Sequence, residues 1–332
     1  MPWNVYGWLL PKTAAAQNFC AQGLSRMETR AISRPVYDGI EIREDRFLRE
    51  GIPHFHVEIE TPYGKLTEDA RLDSSYGSRW ITKFLISGPQ DYPAAEYFFR
   101  HTRFEPDYDS WRTADRELGD AGFVIGEIMP IPVMKLIVSW IGVEGFLAAF
   151  VDTPDWLDTL LSALDRHYDR QIELAAGSPA EVIWFGDNVT ATIISPRLFE
   201  RFCAPVYQRV LPVLSTAGKF PIAHYDGSNR PLVNAIARTS LPIIEAFTPP
   251  PMGDLSVSEA RAAWPDKVIW VNFPGFLFVE EYEKIFKYAL DLLHEGGPAG
   301  RFILGCTEDF PMSEFEKTFS AMHAALIAYQ GE

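Results

Sequence analysis

From about residue 120 onward the chain repeats one pattern: a short apolar run, a polar or glycine-bearing loop, then an amphipathic stretch of helical length. The apolar runs are FVIGEIM (123–129), EVIWFGDN (181–188), FPIAHYDG (220–227), PIIEAF (242–247), VIWVNFPG (268–275) and RFILGCTED (301–309). Between them lie helical candidates such as TPDWLDTLLSALDRHYDRQIELAA, SPRLFERFCAPVYQRVLPVLSTAG and VEEYEKIFKYALDLLHEGG, several opening on Ser, Thr or Asp caps and two ending at glycine. Alternation of this kind requires a parallel sheet with helical crossovers. PWNVYGW at 2–8 reads as a seventh strand, so the economical solution is a closed (β/α)8 TIM barrel with one strand left to place. An open doubly wound sheet is the alternative, but no GxGxxG opens a helix anywhere.

Residues 32–115 follow another period. PVYDGIEIREDRF, HFHVEIETPYGKLTEDARL and SRWITKFLIS alternate apolar and polar positions around a turn at PYGK, which predicts an antiparallel insertion folded onto the barrel within a single domain spanning 1–332. The most apolar window, 131–151, is interrupted by Lys135, Glu144, Gly142 and Gly145, and reads as buried helices in place of a membrane span.

Composition narrows the function classes. Of 332 residues, 47% are hydrophobic, enough for a substantial core, and the formal net charge of -15 repels phosphate backbones and anionic lipid, so neither nucleic acid nor membrane is an expected partner. Cys20, Cys203 and Cys306 are widely spaced and odd in number, which predicts a reducing, cytoplasmic setting without disulfides. The opening MPWNVYGWLLPK has no secretory pattern.

The apolar runs all end in chemistry. Glu127, Asp187 with Asn188, His224 with Asp226, Glu245, Asn272, and Cys306 with Glu308 and Asp309 stand where the strands stop. In a barrel these ends meet at one mouth, and acidic groups gathered there require a cation or shared protons to offset their repulsion. His224 and Asp226, two residues apart on one strand, share a face and present a ring nitrogen and a carboxylate oxygen, as zinc accepts; the plainer reading is a histidine bonded to a carboxylate while Asp226 caps the turn at Gly227. Cys306 offers a thiolate to the same ion or is a small buried hydrophobe. Glu308 is a candidate acid or base, or opens the next helix; Asp187 orients the histidine or makes a turn with Asn188. Tyr6 and Trp270, with Trp3 and Trp8, are core by default and a flat binding wall if they reach the mouth.

The succession FGDN, ISPRLFERFCAPVYQRVLPVL, HYDG, VNFPG and FILGCTEDFP resembles the uroporphyrinogen decarboxylase superfamily over residues 120–332, and more loosely at PWNVYGWLLPK. The resemblance implies an eight-stranded α/β barrel and one of two chemistries: decarboxylation of porphyrinogen acetates without a cofactor, or zinc-dependent methyl transfer to or from a corrinoid carried by a partner protein. The true decarboxylases carry an arginine motif after the first strand that clamps substrate carboxylates. Here YGWLLPKTAA has lost both arginines, which disfavours a substrate with eight carboxylates. The methyltransferase branch has a His-x-Cys pair and a late cysteine on zinc; His224 and Cys306 match, while Asp226 replaces the first cysteine, and the ETPYGKL hairpin is similar to that branch.

The expectation is therefore a methyltransferase or demethylase holding zinc through His224, Asp226 and Cys306, with Glu308 a rival ligand, acting on a small O-methyl substrate and passing the methyl to a corrinoid protein. Asp187, Glu245 and Glu308 would serve as catalytic carboxylates, and Glu127, Asn188, Asn272, Tyr6 and Trp270 would line the substrate. The alternatives are a metal-free carboxy-lyase protonating a carbanion from a raised carboxyl group, and a barrel that binds a small ligand without catalysis.

Overall fold

The computed structural model describes residues 1–73 and 78–331. Its strands are β1 (Trp3–Tyr6), β2 (Leu24–Ala31), β3 (Ser33–Tyr37), β4 (Glu41–Arg49), β5 (Ile52–Thr61), β6 (Gly64–Leu72), β7 (Arg79–Lys83), β8 (Thr102–Pro106), β9 (Gly122–Ile128), β10 (Val182–Phe185), β11 (Phe220–His224), β12 (Ile243–Phe247), β13 (Val268–Asn272) and β14 (Phe302–Cys306). Eight of them close a parallel barrel in the order β1, β14, β13, β12, β11, β10, β9, β2. The chain thus has the eight-stranded α/β barrel that its apolar periodicity predicts, and the strand that periodicity did not place is β2. LSRMETRA hid it: Arg26 and Arg30 both pair with Glu28, so one side of the strand is an ion cluster where a hydrophobic stripe would otherwise give it away.

Two compact units divide the chain. The first comprises Met1–Ile32, Tyr108–Ile128 and Ala175–Glu332 and contains every barrel strand; the second comprises Ser33–Asp107 and Met129–Leu174. In the second unit β3 pairs with β8, and β4 to β7 form an antiparallel sheet in sequence order. Its hairpins have the turn chemistry their lengths require. Glu50 and Gly51, both at positive φ, link Arg49 to Ile52, and Pro62 and Tyr63 span the turn between Thr61 and Gly64. The apolar stretch Pro132–Asp152 is helical and long and apolar enough to cross a membrane, yet half of it is buried inside the protein. Gly142 breaks it at φ +74, where a β-carbon would lie 2.7 Å from the Phe84 ring.

Strand parity decides what the barrel encloses. Asn4 and Trp270, on β1 and β13, bond at 2.7 Å although β14 lies between their strands, so both side chains point inward. Gly305 of β14 leaves the room for this bond, since a β-carbon there would sit 2.5 Å from Trp270 Nε1 and 2.6 Å from Asn4 Oδ1. Alternation then carries Tyr6 and Asn272 inward, two residues beyond Asn4 and Trp270, toward the carboxyl ends of the strands.

Candidate functional site

His224 ends β11 and Glu245 lies beside it in register on β12. The imidazole Nδ1 donates to Glu245 Oε2 at 2.9 Å, and Trp184 Nε1, from β10, donates to the same oxygen at 3.0 Å. Tyr6 reaches across the barrel to give its hydroxyl proton to Glu245 Oε1. The carboxylate is wholly buried, and these three donors are what make its burial tolerable. Burial works against a charge on His224, but the bonded Glu245 and the nearby Asp226 and Asp187 outweigh it and raise the imidazole from an ordinary 6.5 to about 9. His224 is therefore an imidazolium at neutral pH. Glu245 is aimed by a local irregularity: the β12–β13 register shifts between Ile244 and Phe247, and Ala246 within the shift has φ +56, a strained conformation for a residue with a side chain.

Beyond the imidazole, toward the rim, stand the other acidic groups. Asp226 is half-exposed, with Oδ2 3.9 Å from His224 Nε2. Glu308 accepts the Gly275 N–H at 2.5 Å and a bond from Asn272, whose own Oδ1 accepts the Thr307 N–H at 3.0 Å. Gly275 is where VNFPG needs a glycine, because a β-carbon would stand 2.9 Å from Glu308 Oε1. Burial raises the Glu308 carboxyl above the usual range, the Gly275 and Asn272 bonds oppose this, and the charge of Asp226 adds to it. Trp8 lies exposed against Tyr6, ring centroids 4.4 Å apart, and forms an aromatic wall at this edge. Tyr6 itself is held firmly protonated by burial first and by Glu245 and Asp226 second.

Several predicted residues stand elsewhere. Cys306 follows the inward Gly305, so it faces out, buried with Sγ 3.9 Å from Met322 Sδ on the helix Phe315–Gly331; burial pushes its thiol far up, and it takes no part with His224 and Asp226. Trp270 spends its N–H on Asn4 inside the barrel and is 3% exposed, so it plugs the interior in place of walling the mouth. Asp187 accepts the Tyr207 hydroxyl at 2.5 Å, and Tyr225 donates to Tyr207 at 3.1 Å, a buried relay behind β11 whose charge favours the charged form of His224. Asn188 is exposed at φ +48 in the turn that follows, and Glu127 stands half-buried beside Trp184 on the same face. Trp184, Tyr207 and Tyr225 are the functional neighbours that sequence reasoning missed. Trp184 alone had a signal, lying in the apolar run 181–188 that ends in Asp187 and Asn188.

A model of the uroporphyrinogen decarboxylase (URO-D) family matches residues 88–327, most of the chain. The chain belongs to the uroporphyrinogen decarboxylase family. Among solved structures it is similar to a methyltransferase from Methanosarcina mazei, at 14% identity and a TM-score of 0.53, over 77% of this chain and 74% of that one, which bears on the fold. No curated protein matches its sequence.

Within this URO-D family barrel the donor set does not fit the expected zinc. Among the described residues no three His, Cys, Asp or Glu side chains are grouped to hold an ion. Parity turns Cys306 away, and Glu308 is engaged by Gly275 and Asn272. The arrangement instead presents a proton. His224 bonds Glu245 and lies 3.9 Å from Asp226, and among the described residues no lysine or arginine pairs with Glu245, Asp226 or Glu308. Even with the imidazole charged, the mouth remains acidic, a field that repels anionic substrates and admits neutral ones.

Proposed function

We propose that this URO-D family enzyme removes the methyl group from a small, uncharged O-methyl substrate, with His224 as the general acid. As the carbon to oxygen bond breaks, the departing oxygen gains negative charge, and the imidazolium gives it a proton from Nε2. Glu245 favours the charged imidazole and fixes its orientation, while the Tyr6 and Trp184 bonds hold Glu245 in place. Trp8 and Tyr6 supply a flat face for the substrate. The family resemblance implies that a corrinoid on a partner protein takes the methyl group.

One observation carries this reading: a histidine bonded to a wholly buried carboxylate, in a mouth whose remaining groups are acidic. The test supplies uncharged methoxylated compounds together with reduced cobalamin and follows formation of the hydroxylated product and of methylcobalamin. His224→Gln should lower kcat by about a hundredfold or more, and wild-type turnover should persist in a strong chelator. Failure of any such compound to react, with carbon dioxide evolved from a carboxylate instead, would transfer the assignment to the second reading. That reading is a carboxy-lyase in which the same imidazolium protonates a carbanion, and it draws on the decarboxylase family model.

A further inference from the structure

The second unit carries a basic groove of about 540 Å³ that the proposed chemistry does not use. Arg100 ends the helix Tyr92–Arg100, Arg103 projects from β8, and Arg166 and Arg170 lie one turn apart on the helix Pro154–Ala176. Against these four guanidinium groups the lining includes one carboxylate, Glu105, which is already shared between Arg103 at 3.2 Å and Arg34 at 2.6 Å. Arg100 and Arg170 pair with Glu96 and Glu173 on their own helices, whereas Arg166 hydrogen-bonds the Ser162 carbonyl, at 3.2 Å, and pairs with no carboxylate among the described residues. The base is aromatic: Phe99 and Phe104 pack edge-on or tilted around the buried His167, whose pKa burial lowers.

The ordinary account of surface arginines is a solvated face with ion pairs along each helix. It does not explain why three elements converge four of them on one concavity in a chain of net charge -15. The volume is that of a small-ligand site, and too small for a macromolecular surface to be the natural occupant. Exposed pairs such as Arg170 with Glu173 hold weakly and exchange readily for a ligand that satisfies two guanidinium forks at once, which is what phosphate oxygens do. We propose that this groove binds a small soluble phosphorylated molecule, its phosphates held by Arg166 and Arg170 on one side and Arg103 on the other, its body against Phe99 and Phe104.

Inorganic pyrophosphate titrated calorimetrically into the full-length protein at low salt tests this. The wild type should bind it with an affinity that falls as salt is added, Arg166→Gln with Arg170→Gln should weaken binding at least about tenfold without changing the circular dichroism spectrum, and His224→Gln should bind as the wild type does. Absence of binding at millimolar pyrophosphate, or equal binding by the double variant, would overturn the assignment. So would sedimentation with phosphatidate vesicles unaccompanied by pyrophosphate binding, which would make the partner a lipid surface.

Discussion

At the scale of single residues, the site turns on which group holds a proton. His224 is charged because Glu245 outweighs the cost of burial, so a reaction that needs the imidazolium should lose rate as pH rises through about 9. Replacing Glu245 by Gln leaves burial unopposed by its largest favourable neighbour. The alkaline limb of kcat against pH should then move down by about two units; an unmoved limb would show that another group sets it. Cys306 tests the opposite proposition. Its sulfur packs on Met322 outside the barrel, so Cys306→Ala should cost about 1 kcal/mol of stability, read by denaturant titration, while kcat is unchanged. A collapse of kcat in that variant would restore the thiol to the site. The sequence displayed both residue types but not this difference, because a cysteine at a strand end reads the same whether it points inward or outward.

Among the elements, alternation along short strands sorts the predicted residues into those that meet and those that do not. β14 is the clearest case: Gly305 faces in and Cys306 faces out, and the glycine exists because Trp270 and Asn4 bond through the space its side chain would fill. Gly305→Ala should therefore destabilise the barrel by about 1 to 3 kcal/mol, seen as a lowered thermal midpoint, because neither buried side chain has room to retreat. A midpoint equal to the wild type would mean the interior is looser than this bond implies. β10 and β12 show what periodicity alone misses. Trp184 looked like one more apolar strand residue, yet its N–H holds the site carboxylate, and the shift at Ala246 that aims Glu245 leaves no mark in PIIEAF. The six later strands were legible because apolar runs bounded by caps and glycines recur; β2 was not, because Arg26, Glu28 and Arg30 neutralise one another locally.

For the molecule as a whole, closure of the barrel makes distant residues neighbours. β1 seals the sheet between β14 and β2, and only then does Tyr6 meet Glu245, 239 residues away in the chain. The two compact units are interleaved in sequence, so the arginines of the second unit arise from 100–103 and 166–170, on either side of a barrel strand. By itself the sequence determined the fold class, most of the strands, the antiparallel segment, and the fact that polar groups end the strands, since periodicity, caps and glycines act over a few residues. Tertiary structure alone decided that His224 is held by Glu245, that Cys306 turns away, and that scattered arginines share a groove. Those outcomes depend on strand register, side-chain parity and long-range charge, which exist only once the chain has closed on itself.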